Sequence, residues 1–434
     1  MSFIKAYILI LLFTIITDFF AAQLIDRSTG IRRKWALMIS LGANLGILFV
    51  FKYYNFFAAL AEPVASVFGF QVHYLAIALP LGLSFQTLQA MGYCIEVFHR
   101  RAPVERNFMT FAQYVLFYPQ LVAGPIERPQ QLMPQIGKDY AFNADKVSAG
   151  LRLMLWGFFK KLVIADRLAP IVDSVFDYPD MAKGPAVAAA AMLFSVQIFC
   201  DFSGYTDIAR GCAKILGIDL VLNFRQPYLA KSVSEFWRRW HLSLSTWLRD
   251  YVYIPLGGNR KGKGRQWLNL LAVMLLSGLW HGAGLNFLVW GGLHAVFMII
   301  AAAMDKRAPA NYTGPVPDLL NTFFTFLLVS FAWIFFRAAN LQTAMQLVQS
   351  LPSGWNAGGI TDVLNIMSAG KWAFVLLHLG FLAGSGFMAE KNSSFPAMAL
   401  KLDPKFRIAA YYAFILAIFF FGQYSDRSFI YFQF

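Results

Sequence analysis

Charge is scarce in this sequence. Only 14% of its 434 residues are Asp, Glu, Lys or Arg, while 58% are hydrophobic and 17% aromatic. Soluble chains carry about a quarter charged residues, so the scarcity excludes a soluble fold: water cannot cover this much apolar surface. Acidic residues are scarcer still, 23 against 37 basic, which leaves a net charge of +14. In a chain this apolar the excess reads as basic cytoplasmic loops beside anionic lipid, and no nucleic-acid partner is expected. Cysteine is almost absent. Cys94, Cys200 and Cys212 lie in or beside apolar stretches without pairing or metal-ligand spacing, so they read as buried thiols and exclude a disulfide framework. The first apolar segment lacks a convincing cleavage site and is expected to stay as an anchor. No internal repeat and no low-complexity segment is found.

What is present is a series of long uncharged or nearly uncharged stretches, approximately residues 7–24, 35–60, 74–95, 108–126, 185–200, 319–336, 372–389 and 408–425. The longest run, 266–304, has no Asp, Glu, Lys or Arg and is long enough for two spans, broken near Gly282 and Gly284. At roughly 20 residues per span plus a loop, the expected fold is all-α: one integral membrane domain over residues 1–434, a polytopic bundle of about 10–12 membrane helices with re-entrant or interfacial pieces. Residues 148–165 are amphipathic, interrupted by Arg152, Lys160 and Lys161, and either lie at the interface or span poorly. Pro119 and Gly124-Pro125 make 108–126 a re-entrant or broken helix. Basic residues cluster after the first and third stretches (Arg27, Arg32, Arg33, Lys34; His99, Arg100, Arg101), and the loop between the second and third, near 61–73, has no Lys or Arg. That alternation puts the N-terminus outside and the basic loops in the cytoplasm; the final span then delivers the C-terminus to the outside.

One region departs from the lipid-like background. Residues 201–294 hold Asp201, Asp207, His241, His281, His294 and a dense basic stretch that includes Arg238, Arg239, Arg249 and Arg260. Residues 236–251 have helical spacing, with Trp237, Trp240, Leu244, Trp247 and Tyr251 on one side. Alone, this is an interfacial anchor; with its arginines it also forms a cationic mouth for a phosphate-bearing substrate. His281, in Leu279-Trp280-His281-Gly282, ends an uncharged run. A charged group within a membrane costs roughly 2.5 kcal/mol or more, so an intramembrane histidine is functional by default. Its neutral imidazole is the cheaper form and also the form that acts as a base. His294 follows thirteen residues later, too far for a helix-face metal pair. No Cys/His cluster supplements the histidines, so no metal site is expected and His294 reads as a packing residue. A transporter or flippase explains the spans but not the Trp-His motifs, and the inverted repeat common in transporters is missing.

These motifs resemble the membrane-bound O-acyltransferase family over nearly the whole chain. The resemblance rests on residues 120–126 (QLVAGPI), 201–207 (DFSGYTD), 236–243 (FWRRWHLS), 253–260 (YIPLGGNR) and 278–283 (GLWHGA). It is nearest to the bacterial branch that acetylates cell-surface polysaccharides, the alginate O-acetylase type. The resemblance implies helices around a central tunnel, with a cytoplasmic funnel and an outer opening. It places the family's near-universal histidine on His281 and its second conserved polar position on His241, where the side chain either orients the donor or stabilises an oxyanion. Arg238, Arg239, Arg249, Arg260 and Trp280 are the expected donor-binding residues. The implied donor is an acyl thioester, acetyl-CoA or a phosphopantetheine carrier, and the implied acceptors are hydroxyls of an extracytoplasmic polysaccharide, alginate-type or peptidoglycan. A separate extracytoplasmic transferase partner and the bacterial inner membrane are implied with them. D-alanyl transfer from a carrier protein is the alternative within the class. The sequence ends Phe429-Ile430-Tyr431-Phe432-Gln433-Phe434, which resembles the Phe-x-Tyr-x-x-Phe ending of such systems and makes Tyr431 the expected carrier of an acyl intermediate. A phenol, with a pKa near 10, gives a more activated ester than a sugar hydroxyl does.

Overall fold

The computed structural model describes residues 7–77, 80, 82–121, 124–305, 315–392, 395–424 and 429–430. Helices dominate, and no strand occurs among the described residues. The chain divides into two compact units, Met1–Val147 with Cys212–Val221, and Ser148–Gly211 with Leu222–Phe434.

The first unit carries α1 (Tyr7–Arg27), α2 (Gly30–Leu48), α3 (Tyr54–Val67), α4 (Leu83–Phe98), α5 (Phe108–Val115) and α6 (Pro129–Ile136), with a π-helical turn, Phe49–Tyr53, between α2 and α3. Its core mixes aliphatic side chains such as Ile15, Ile25 and Leu132 with the buried rings of Phe19, Tyr93, Phe111 and Tyr114. Within it α1, α2 and α4 meet around the buried Asp18, whose carboxylate accepts from Ser40 Oγ at 2.6 Å and Asn44 Nδ2 at 2.9 Å. Backbone polar groups inside apolar helices are satisfied by the helix, so a buried polar side chain needs a partner of this kind. Asn107 caps α5 by accepting from Met109 N at 2.8 Å. That helix stops at Val115, ahead of Pro119, and 124–128 carry no regular secondary structure. The 108–126 stretch is therefore a broken helix.

The second unit carries α7 (Ala144–Phe158, whose first turn belongs to the first unit), α8 (Asp166–Phe176), α9 (Gly184–Ile215, ending in the first unit), α10 (Val233–Trp237), α11 (Leu242–Leu248), α12 (Lys263–His281), α13 (Leu285–Asp305), α14 (Pro315–Arg337), α15 (Leu341–Ser350), α16 (Ala357–Asn365), α17 (Ala369–Asn392), α18 (Phe395–Met398) and α19 (Pro404–Phe421). A π-helical segment, Phe159–Ala165, joins α7 to α8. The 266–304 run forms the antiparallel pair α12 and α13, broken at 282–284 as its glycines suggest.

Among the described residues seven helical stretches are long and apolar enough to cross a membrane: Tyr7–Arg27, Gly30–Val67, Gly184–Ile215, Leu285–Ala303, Val316–Arg337, Ala369–Glu390 and Pro404–Phe421. The protein is an all-α, polytopic membrane protein. Of the three cysteines, Cys94 and Cys200 are buried and Cys212 is half-buried.

Candidate active site

Residues 236–251 do not form the single amphipathic helix that their spacing predicts. α10 ends at Trp237, and His241 adopts a left-handed backbone (φ +44°, ψ +55°) before α11 begins at Leu242. A non-glycine residue rarely takes this conformation, and it persists only where its surroundings hold it. Here the holding is visible. Arg225 N donates to Arg239 O at 2.9 Å and Leu242 N donates to Asn223 O at 3.0 Å. The loop 223–225 therefore clasps both sides of the turn. Trp237, Trp240, Leu244 and Trp247 are all buried, so the apolar stripe packs inward and is no interfacial anchor.

The turn sets His241 next to His281. Their ring centroids lie 6.3 Å apart, and both side chains are buried. His281 is the last residue of α12, and its ring meets Trp280, Trp290 and Phe336 edge-on at 4.9, 5.2 and 5.3 Å. His241 packs edge-on against Phe202 at 4.8 Å and Trp280 at 6.0 Å. Its Nδ1 lies 3.2 Å from Asn223 Oδ1. Burial depresses the pKa of His241 from 6.5 to about 3, so its imidazole is neutral. His294 is fully buried between Trp237, Trp290 and Phe236, and accepts at Nδ1 from Trp237 Nε1 at 3.2 Å. The aromatic shell excludes water, which strengthens every polar interaction inside it.

A polar cavity of about 790 Å³ adjoins this turn, its wall including Asn223, Ser203, Asp207, Lys160, Arg238 and Arg239. Lys160, itself buried, donates to Ser203 Oγ and Asp207 Oδ2 at 2.8 Å each. Next to it in sequence, Lys161 bonds Asp166 and Asp201. Asp201 in turn accepts from Ile430 N at 2.8 Å. Phe429 is also buried, its ring 4.8 Å from Tyr205 and 5.9 Å from Phe202. Tyr431 lies outside the described residues.

The expected donor-binding residues are dispersed. Arg238 and Arg239 line the cavity, whereas Arg249 and Arg260 do not. Arg239 is already engaged, by Glu235 at 2.6 Å and Glu390 at 2.8 Å. Burial pushes the Glu235 carboxyl upward, but bonds from Lys231 N and Arg239 outweigh it and hold the pKa below the ordinary value. Arg249 pairs with its neighbour Asp250 at 2.8 Å. Trp280 packs against both histidines and is absent from the cavity wall. Sequence reasoning flagged Lys160 and Lys161 only as interruptions of an apolar stretch and gave Asn223 no role. The four-residue spacing of Ser203 and Asp207 was the available sign that they share one face of α9. Among the described residues no three or more His, Cys, Asp or Glu gather as metal ligands would.

These features define a polytopic helical membrane protein with two buried, juxtaposed imidazoles beside a polar cavity. The chain belongs to the membrane-bound O-acyltransferase family, whose family model matches residues 95–339. It is 40% identical over 324 residues to a protein named probable alginate O-acetylase AlgI from Pseudomonas putida, covering 74% of this chain and 66% of that one. It is 34% identical over 375 residues to the peptidoglycan O-acetyltransferase of Helicobacter pylori, covering 80% and 70%. A teichoic acid D-alanyltransferase of Streptococcus thermophilus is 28% identical over 288 residues, covering 59% and 68%. Matches to the alginate O-acetylases cover 58–66% of their length.

Proposed function

We propose that this protein is an O-acetyltransferase that moves an acetyl group from a cytoplasmic thioester to hydroxyls of an extracytoplasmic cell-surface polysaccharide. The observation that carries this reading is the placement of His281 and His241 side by side, 6.3 Å between ring centroids, in an aromatic shell. Relatives named for alginate and peptidoglycan O-acetylation support acetyl as the group and a surface glycan as the acceptor. The D-alanyltransferase relatives keep D-alanyl transfer from a carrier protein as a second reading.

In the reaction an acceptor hydroxyl attacks the thioester carbonyl and the carbon–sulfur bond breaks. The acyl group passes to oxygen, and the thiol leaves with the proton. His281 takes the hydroxyl proton as general base, a contribution of about 10²–10⁴ in rate. His241 acts beside it on the reacting groups. The donor is acetyl-CoA or a phosphopantetheine carrier, held through Arg238 at the polar cavity, and the acyl group travels a tunnel through the bundle. Tyr431 is the candidate first acceptor: the buried seats of Phe429 and Ile430 in the same unit as His241 favour that role. An extracytoplasmic transferase partner then finishes delivery to the polymer. The setting is the bacterial inner membrane, with both termini outside.

The test is transfer of isotope-labelled acetyl from a thioester by membranes carrying wild-type or His281→Gln protein. Loss of transfer, with the variant present at normal level and melting temperature, is expected. Wild-type rates in the variant overturn the assignment.

A further inference from the structure

Three donors converge on one oxygen in the turn before α11. Asn223 Oδ1 lies 3.2 Å from Ser243 N, 2.9 Å from Ser243 Oγ and 3.2 Å from His241 Nδ1. The Ser243 backbone N–H can only donate, so it fixes which way the Asn223 amide points. A flipped amide sets Nδ2 against that N–H, donor against donor. With Oδ1 in place, a carboxamide oxygen that can only accept faces the imidazole, and Nδ1 must carry the hydrogen. A neutral imidazole has one N–H, so Nε2 then holds the lone pair.

We infer that Asn223 is a positioning residue that holds His241 in its Nδ1–H tautomer, so that Nε2 serves acyl transfer as a hydrogen-bond and proton acceptor. This rests on the acyltransferase reading and narrows it. Oxyanion stabilisation by His241 needs an N–H aimed at the developing charge. That N–H is committed to Asn223. His241 therefore orients a proton-bearing group, the acceptor hydroxyl or the His281 imidazole, and both imidazoles act on the proton side of the reaction. Asn223 also lies on the wall of the 790 Å³ cavity, where its Nδ2 has no hydrogen-bond partner among the described residues.

The test reads the tautomer directly and then its consequence. In protein labelled with ¹⁵N-histidine, the His241 resonances are identified by their loss in His241→Gln. Wild type is expected to be protonated at Nδ1 and bare at Nε2. In Asn223→Leu the fixed tautomer is lost and kcat falls about 10²-fold, while donor KM stays within about twofold. Asn223→Asp still accepts from Nδ1–H, and its carboxylate favours the imidazolium. It is expected to keep the tautomer, to titrate His241 at higher pH than wild type, and to recover activity over Asn223→Leu above that pH. Among the described residues, the titratable group whose ring contact faces His241 is His281 on α12; Phe202 on α9 and Trp280 on α12 are uncharged. A role confined to bracing the turn moves neither the tautomer nor the titration. Nε2 protonation in wild type overturns the inference, as does Asn223→Leu with wild-type kcat. Should Asn223→Leu fail to fold, the wild-type tautomer and the Asn223→Asp titration decide. If wild-type protein transfers no acyl group to any hydroxyl, the function fails while the spectra still settle the tautomer.

Discussion

His241 is buried as a neutral imidazole outside the candidate membrane spans, and that has a pH consequence. Its pKa is about 3 in the folded protein and 6.5 in an unfolded chain. Below 6.5 the unfolded state takes up a proton that the folded state refuses, so stability falls as pH drops from about 6.5 towards 3. His241→Gln, if it folds, is expected to lose less stability than wild type across that window, measured by thermal unfolding in detergent at stepped pH. A second contrast separates two adjacent arginines. Arg239 is tied to Glu235 and Glu390, so Arg239→Ala is expected to lower stability by about 1 kcal/mol. Arg238 is exposed on the cavity wall and makes no contact ion pair among the described residues. Arg238→Ala is therefore expected to leave the melting temperature alone and raise donor KM several-fold. Equal effects on donor KM remove Arg238 from donor binding.

The element that delivers His281 depends on glycine. A Cβ added at Gly278 stands 2.2 Å from Phe287 O, and one at Gly291 stands 2.2 Å from Met274 O. α12 and α13 thus touch backbone to backbone at two levels, the close approach that small residues allow between packed helices. Gly278→Ala or Gly291→Ala must push the helices apart, with an expected loss of about 1–3 kcal/mol. Because His281 lies one turn beyond Gly278, the first substitution is also expected to lower kcat more than the second. Measurement of melting temperature and turnover in both variants checks this. The α12–α13 break was legible in the sequence because its signals are local: an uncharged run and two glycines. The break at His241 was not, because its cause lies 18 residues upstream in Asn223. Helical periodicity continues smoothly through Trp237, Trp240 and Leu244, and tertiary bonding overrides it. The same stripe could not reveal whether its aromatics face lipid or protein. His281 and His241 could be singled out from the sequence as candidates; their 6.3 Å juxtaposition and the Asn223 clasp could not.

At the scale of the whole molecule, the proposed reaction needs a donor in the cytoplasm and a polymer outside, so the sidedness of the chain is part of the mechanism. Lys and Arg are retained on the cytoplasmic side of short loops. Arg27, Arg32, Arg33 and Lys34 flank the junction of α1 and α2, whereas residues 61–73, at the end of α3 and beyond, carry no Lys or Arg. Native thiols interfere little with a labelling test: Cys94 and Cys200 are buried, and Cys212, 3.0 Å from Tyr118 Oη, can be replaced by serine. A cysteine placed at Ser28 is expected to react with a membrane-impermeant maleimide only after the cells are opened. One at exposed Gly69 is expected to react in intact cells. The reverse pattern puts the basic loops outside and removes the cytoplasmic donor from the mechanism. If the expected pattern holds, donor and acceptor are on opposite sides, and only the acyl group need cross. A relay through an activated ester such as a phenol then retains part of the thioester's free energy for the final transfer to a sugar hydroxyl. Direct release to water would dissipate that energy on the wrong side of the membrane.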